Sequence, residues 1–209
     1  MARRIKEAAS VHRQRIGQAA GSLFEKKGIE IVSMDMIAKE SGYSKATLYV
    51  YFKSKDEIIS YLTLKSMKYL KEFILEGLRS ASEMKDRYLG ICNGLYKYAT
   101  TYPLYFKMVQ SPINIDFNKS RFEENEREIF YIGEEINEII GKFIIEGIRS
   151  NIFKEDLKSI PTIFCLWGML CGVIELALNK EEYIMKEMNM SLDEFLDYSY
   201  DTIYNSIKK

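Results

Sequence analysis

The chain has 209 residues, of which 47% are hydrophobic, and its 30 basic residues equal its 30 acidic ones. That length suffices for one large domain or for one small domain plus a larger one. The charge is uneven: residues 1–55 hold eleven Lys or Arg against five Asp or Glu, a net charge of +6, while the remainder carries −6. A basic amino-terminal part on an acidic body suits a polyanionic partner at one end only, although a solvated lysine face has the same composition.

The first residues are basic but do not form a targeting signal. No apolar stretch of signal-peptide length follows Met1–Lys6, so this segment is predicted to be a flexible arm. Such an arm either lies along the backbone or a minor groove of DNA, or has no role.

Residues 33–55 carry the pattern of a helix-turn-helix. Ser33 and Ser44 are predicted to be the N-caps of two short helices, because a serine hydroxyl accepts a backbone N–H of the first turn. Gly42 stands where the first helix must end, a position that favours a residue able to adopt positive φ. The apolar positions that join the two helices are Ile37, Ala38, Leu48 and Phe52.

The second of these helices is predicted to present its polar side to DNA. Hydroxyl, amine and phenol groups on that side suit phosphates and base edges, and Lys55 is expected to act mainly on phosphate. The alternative is a helical hairpin in an unrelated all-α protein. The predicted DNA-contacting residues are Ser33, Ser44, Lys45, Ala46, Thr47, Tyr49, Tyr51 and Lys55.

The stretch from Arg15 to Leu62 resembles the DNA-binding domain of TetR-type transcriptional regulators. The matching segments are IGQAAGSLFEKKGIE, IAKESGYSKATLYVYFKSKDEI and, most specifically, SKATLYVYFKSK at 44–55. Two positions depart from the family pattern: Met34 replaces the usual hydroxyl residue, and Tyr51 replaces a frequent histidine. The resemblance implies a cytoplasmic homodimeric repressor that places Lys45–Tyr51 in the major groove of a near-palindromic operator and binds a small effector in its body.

The rest of the chain is predicted to be helical throughout. Ser54–Glu57 has the pattern of a capping box that starts a helix running towards Ser80. The sequence thus predicts an all-α protein, with a three-helix DNA-binding domain in residues 1–54 and a helical body for dimerisation and ligand binding in residues 55–209. Asn151 takes the place where glycine often ends a helix. Further helices are predicted near residues 82–102, 104–110, 118–150, 159–179 and 191–207.

Residues 160–178 are almost long and apolar enough for a membrane span. Glu175 argues against a span, because a carboxylate is costly inside hydrocarbon. A helix buried on nearly all sides, at a bundle centre or a subunit interface, is the preferred interpretation. Gly168 and Gly172 share one face and allow another backbone to approach closely. That neighbour is either a helix of the same subunit or, as the family resemblance favours, a dimer partner that also uses the final helix.

Residues typical of catalysis or metal binding are poorly represented. His12 is the only histidine and lies beside Arg13, where it suits a phosphate or solvent rather than a triad or a metal site. Cys92, Cys165 and Cys171 have no C-x-x-C spacing and are predicted to be reduced and buried. We therefore expect no enzymatic activity, no cofactor and no metal.

Aromatic and methionine side chains in the body suit an adaptable, mostly apolar effector pocket. Ordinary core packing is the alternative for each aromatic residue. Glu175, a lone carboxylate in an apolar helix, needs a partner, which is an interface cation, an internal hydroxyl or a cationic effector. The predicted effector-contacting residues are Tyr96, Tyr102, Phe106, Phe143, Trp167 and Glu175.

Three classes of function are compatible with the sequence. The preferred class is a ligand-responsive DNA-binding regulator, in which the effector shifts the helix that begins at Lys55. The second is an effector-free DNA-binding architectural or chromosome-associated factor. The third is a helical enzyme or scaffold whose helix-turn-helix is incidental.

Overall fold

A computed structural model describes residues 8–111 and 124–209, which form ten α-helices. Within those two ranges the only β-pairing is a single bridge between Phe153 and Lys208, so the all-α prediction is confirmed. The helices are α1 (Ala9–Lys27), α2 (Met34–Ser41), α3 (Lys45–Tyr51), α4 (Lys55–Arg79), α5 (Met84–Thr101), α6 (Pro103–Gln110), α7 (Glu124–Arg149), α8 (Ser159–Asn179), α9 (Glu181–Glu187) and α10 (Leu192–Ile207).

The predicted helices match these elements closely, apart from α9, which the sequence analysis missed. The predicted basic arm and the start of the helix expected at 118–150 lie outside the described residues. The chain divides into two compact units, here called the head (residues 1–67 and 102–129) and the body (residues 68–101 and 130–209). Helix α4 begins in the head and ends in the body. The functional division predicted between residues 54 and 55 stays a prediction.

The head is built around one apolar core shared by α1, α2, α3, the start of α4 and α6. The period of apolar residues in each helix explains this core, since each turns one apolar stripe inward. Ile29, Met34 and Tyr51 pack against its edge. Met34, which replaces a hydroxyl residue of the family pattern, is therefore a packing residue. The core comprises Ile16, Ala20, Leu23, Phe24, Val32, Ile37, Ala38, Leu48, Phe52, Ile58, Leu62 and Met108.

The ends of α2 and α3 follow the predicted capping pattern. The Met36 backbone N–H donates to the Ser33 hydroxyl at 3.3 Å, and the Thr47 N–H donates to the Ser44 hydroxyl at 3.1 Å. Gly42 ends α2 with φ +73°, the left-handed conformation that glycine adopts without a Cβ penalty. Local hydrogen bonding therefore sets the reversal between the two helices.

The predicted capping box of α4 is only half formed. The Glu57 N–H donates to the Ser54 hydroxyl at 3.2 Å, as expected. The Glu57 carboxylate, however, accepts from the Lys53 N–H at 2.7 Å and from Arg13 at 2.9 Å. The Glu57 carboxylate is thus shared between a local backbone N–H and a cation that is distant in the sequence.

In the body, α8 packs against α5, α9 and α10. The end of α4 crosses α5 at very short range, because a Cβ on Gly77 or Gly90 would collide with the backbone of the other glycine. Helix α7 ends as predicted, with Asn151 at φ +59°. A Cβ on Gly147 would overlap the Phe153 ring, so glycine is required for the chain to fold back there.

Helix α8 has the length and apolar composition of a membrane span, yet less than half of its most apolar stretch is buried. The bundle centre, one of the two expected positions for this helix, is therefore not what the single chain shows, and the subunit interface stays a prediction. Ile160, Phe164 and Leu176 are at least half exposed. The helix buries one side in the body and leaves a second apolar side uncovered.

Candidate nucleic-acid interface

Helix α3 is held in the head by its apolar side and shows its other side to solvent. Leu48 is completely buried, whereas Tyr49 is 44% exposed and Val50 is 76% exposed. The Ser44 and Thr47 hydroxyls lie 2.8 Å apart at the start of the helix. Lys45 and Ala46 are also exposed. Helix α3 therefore presents an amine, two hydroxyls and a phenol on one accessible surface.

Lys45 is the main charged group on that surface. Its ammonium lies 2.7 Å from the Asp35 carboxylate of α2, and the hydrogen bond and charge of Asp35 raise the pKa of Lys45. Both side chains are more than half exposed, so solvent screens the pair and a phosphate can replace the carboxylate. Lys45 is therefore a permanent cation available to DNA.

Two residues predicted to face DNA make contacts within the head instead. The Tyr51 ring is half-buried and stacks on His12, with ring centroids 4.8 Å apart. The Lys55 ammonium donates to the Ile29 carbonyl oxygen at 3.0 Å and lies 3.4 Å from that of Glu30. In the unbound chain both side chains join parts of the head to one another. The prediction that both face DNA rests only on their positions along α3 and at the start of α4. Such positions do not show contacts with distant residues.

His12 also differs from its expected place beside solvent or phosphate. Its Nδ1 lies 2.7 Å from the Tyr43 hydroxyl, and its ring meets those of Tyr43 and Tyr51. The neighbouring Arg13 donates to the Tyr51 carbonyl oxygen at 2.6 Å and to Glu57 at 2.9 Å. Sequence reasoning missed this arrangement, since 31 to 44 residues separate the partners.

The six predicted effector residues do not form one described cavity. Tyr102 and Phe106 belong to the head, and the other four belong to the body. Phe143 is buried against Phe153, with ring centroids 5.6 Å apart. The cleft described on α7 holds about 430 Å³ and includes none of the six. It is lined by Lys142, Ile145, Glu146, Arg149 and Ser150.

Tyr96 and Trp167 are half-buried, and Glu175 is exposed to solvent in the single chain. An inward carboxylate that needs an internal partner is therefore not what the structure shows. A buried polar group lies instead on α10: the Tyr200 hydroxyl has no hydrogen-bond partner within the described ranges. The Tyr88 hydroxyl, by contrast, donates to the Tyr200 carbonyl oxygen at 3.1 Å.

The predicted dimer glycines face open space. A Cβ on Gly168 or Gly172 would meet nothing within 4 Å. Burial raises the pKa of Cys92 and Cys171 to about 12, which keeps both thiols protonated. Cys165 is exposed, so the expectation that all three cysteines are buried is wrong at this position. No group of metal-binding side chains occurs among residues 8–111 and 124–209.

The comparisons with known proteins agree with this geometry. The family model for bacterial regulatory proteins of the tetR family matches residues 16–62. A helix-turn-helix transcriptional regulator of Staphylococcus aureus is 26% identical over 168 residues, covering 74% of this chain and 86% of that protein.

Two solved structures share the fold over nearly the whole chain. A tetR family transcription regulator from Shewanella sp. PV-4 superposes with a TM-score of 0.70 at 17% identity, covering 95% of this chain and 98% of that one. The regulator FadR from Bacillus subtilis, in complex with stearoyl-CoA, gives 0.68 at 19% identity, covering 93% and 98%. The capped helix pair and its exposed polar surface thus define a helix-turn-helix DNA-binding transcriptional regulator. Its residues 16–62 match the DNA-binding domain of the tetR family, and the chain is similar to regulators with that domain.

Proposed function

We propose that this DNA-binding regulator is a repressor that binds a near-palindromic operator as a homodimer in the cytoplasm and is released by a small, largely apolar effector. The observation that carries DNA recognition is the surface of α3, where Lys45 and Tyr49 are exposed above the buried Leu48. A helix supported in this way suits a major groove, with its hydroxyls and amine on phosphates and base edges. Ser33, Ser44, Ala46 and Thr47 complete the proposed contact surface.

A second copy of the chain is the proposed occupant of the uncovered side of α8. Phe164, Met169 and Leu178 are exposed on this helix, and an apolar surface of that extent is typical of a protein interface. The open space at Gly168 and Gly172 leaves room for a second backbone. Glu175 lies on the exposed side of α8, so it faces either solvent or the second copy. A two-fold dimer matches a palindromic operator.

The effector is proposed to be an acyl or aromatic compound rather than a cation. Half-buried Tyr96 and Trp167 offer contact area within the body, and apolar pockets use a few polar groups to fix ligand orientation. The stearoyl-CoA complex of the similar FadR fold supports an apolar chain. The exposure of Glu175 removes the reason for a positively charged ligand. Tyr102, Phe106 and Phe143 remain weaker candidates, because Phe143 already packs against Phe153.

The test has two parts, since DNA binding and effector binding are separate claims. Mapping of bound sites across the source genome should return a palindromic sequence, and its neighbouring genes should indicate the effector. Thermal-shift measurements with stearoyl-CoA, stearate, a lipophilic cation and a neutral aromatic compound follow, because a ligand that binds only the folded state raises the melting temperature.

The expected result is stabilisation by an acyl or aromatic compound that also releases the mapped DNA. Stabilisation by the cation alone would overturn the proposed effector class. Broad DNA occupancy without a shared sequence, together with no stabilisation by any compound, would favour the effector-free architectural factor.

A further inference from the structure

Two consecutive residues of α1 hold α3 at both of its ends. His12 contacts the Tyr43 hydroxyl just before α3 and stacks on Tyr51, the last residue of α3. Arg13 donates to the carbonyl oxygen of Tyr51 at 2.6 Å. That carbonyl belongs to the carboxyl end of the helix, where cations are favoured. Helix α3 is thus fixed to α1 by one ring stack and two polar contacts.

The same guanidinium reaches the first turn of α4. Arg13 forms an ion pair with Glu57 at 2.9 Å, and the other carboxylate oxygen accepts from the Lys53 N–H at 2.7 Å. The guanidinium also lies 4.1 Å from the centroid of the Phe52 ring. Phe52 is completely buried. One side chain therefore joins α1, the end of α3 and the start of α4.

This use of Arg13 is unexpected for a basic residue of a DNA-binding module. Arginines there usually contact phosphates. Yet only 27% of the Arg13 side chain and 23% of the Glu57 side chain are exposed. Partial burial reduces screening, so the charged hydrogen bonds hold a defined geometry. The Tyr61 ring also lies beside the guanidinium, with its centroid 5.5 Å from the central carbon.

We propose that Arg13 and Glu57, assisted by His12, form a clamp that sets the orientation of α3 relative to the first turn of α4. Arg13 is a positioning residue and does not contact DNA. Because α4 continues into the body, the clamp is the point at which a shift in α4 reaches the DNA-contacting helix. The inference rests on the proposal that α3 reads DNA.

The test measures sequence discrimination rather than affinity alone. The probes are a duplex selected from a random pool by the wild-type protein and a scrambled duplex of equal length. Arg13→Gln should weaken binding to the selected duplex about tenfold, the size of one lost base contact. Binding to the scrambled duplex and the slope of affinity against salt should stay unchanged, because no phosphate contact is removed.

The double variant Arg13→Gln/Glu57→Gln should bind no more weakly than the weaker single variant, since both changes break the same pair. Partial unfolding would lower binding to both duplexes equally and leave their ratio constant. Circular dichroism identifies that case. If Arg13→Gln does not fold, Arg13→Lys and Glu57→Gln, which keep most of the packing, should each reduce the ratio about threefold.

The clamp would be disproved by an unchanged ratio in these folded variants. It would also be disproved by a salt slope that falls by about one unit, the sign of a phosphate contact. Lys45→Ala and Tyr49→Ala test the DNA contact of α3 separately from the clamp. If neither changes DNA binding, the proposed role of α3 fails; if both do while the clamp variants have no effect, only the clamp fails.

Discussion

The head and the body differ in the kind of surface that each leaves exposed and in how well their polar groups are hydrogen-bonded. In the head, Ser33 and Ser44 begin α2 and α3 and Gly42 ends α2 as local rules require, and α3 exposes polar groups at Lys45 and Tyr49. In the body, the apolar side of α8 is exposed, and the Tyr200 hydroxyl is buried without a hydrogen-bond partner within the described residues. The head thus offers a polyanion the exposed amine and hydroxyls of α3, whereas the body offers an uncovered apolar surface.

The largest expected effect comes from breaking the proposed dimer. Phe164→Glu places a charge on the exposed apolar side of α8, and a charge in a hydrophobic interface disfavours association. We expect a monomer in light scattering and operator affinity lower by about a hundredfold, because two linked heads gain on the order of 10² or more over one. Tyr131→Glu, an equally exposed aromatic on α7, is the control and should stay dimeric. A dimeric Phe164→Glu protein would remove this surface from the interface.

Close packing inside the body should be the next most sensitive feature. Gly90→Ala forces a Cβ against the Gly77 carbonyl, and overpacking of this kind costs about 1–3 kcal/mol. Chemical denaturation should show that loss in the free energy of unfolding. Gly168→Ala is the matched change on α8, where a Cβ meets nothing, and should cost a few tenths of a kcal/mol at most in the monomeric Phe164→Glu background. Equal losses for the two variants would contradict the described crossing of α4 and α5.

In the head, Lys45→Ala and Tyr49→Ala should each weaken operator binding about tenfold, with helix content and dimerisation unchanged. Loss of the Lys45 charge should also flatten the salt dependence by up to about one unit of slope. Lys55→Ala is the matched lysine control. Its ammonium is bonded to the carbonyls of Ile29 and Glu30, so its loss should leave the slope unchanged. A flatter slope for Lys55→Ala would show that this side chain moves to phosphate on binding.

The smallest expected effect is a difference in stability between variants of two buried tyrosines of the body. Tyr88→Phe removes a hydrogen bond to the Tyr200 carbonyl and should cost about 1 kcal/mol. Tyr200→Phe removes a hydroxyl that has no hydrogen-bond partner in the part of the chain that the structure describes, so stability should stay constant or rise. Thermal unfolding compares the two. A destabilised Tyr200→Phe protein would mean that an ordered water or another group satisfies that hydroxyl.

Local features of the fold could be predicted from the sequence. The caps at Ser33 and Ser44, the left-handed Gly42 and Asn151, and the bounds of most helices depend on neighbours within a few residues. Propensity and apolar period carry that information directly.

Long-range features could not be predicted in this way. The inward turn of Tyr51 depends on His12, and the incomplete capping box depends on Arg13, more than 35 residues away. For α8 the sequence left two positions open, a bundle centre and a subunit interface. An apolar helix at a subunit interface and one in a monomer core have the same composition, so the sequence alone could not show which side stays exposed.

The Asp35–Lys45 pair has a consequence for how the head selects its position on DNA. Asp35 is a resident anion that occupies Lys45 before any phosphate arrives. On the proposed interface, binding is therefore an exchange of one anion for another, and it leaves a carboxylate beside the duplex. A head displaced along the groove, with no phosphate within reach of the amine, keeps the internal pair and gains nothing from Lys45, while the Asp35 carboxylate still meets the like charge of the duplex. Lys45 therefore contributes to binding only where a phosphate lies close enough to replace Asp35.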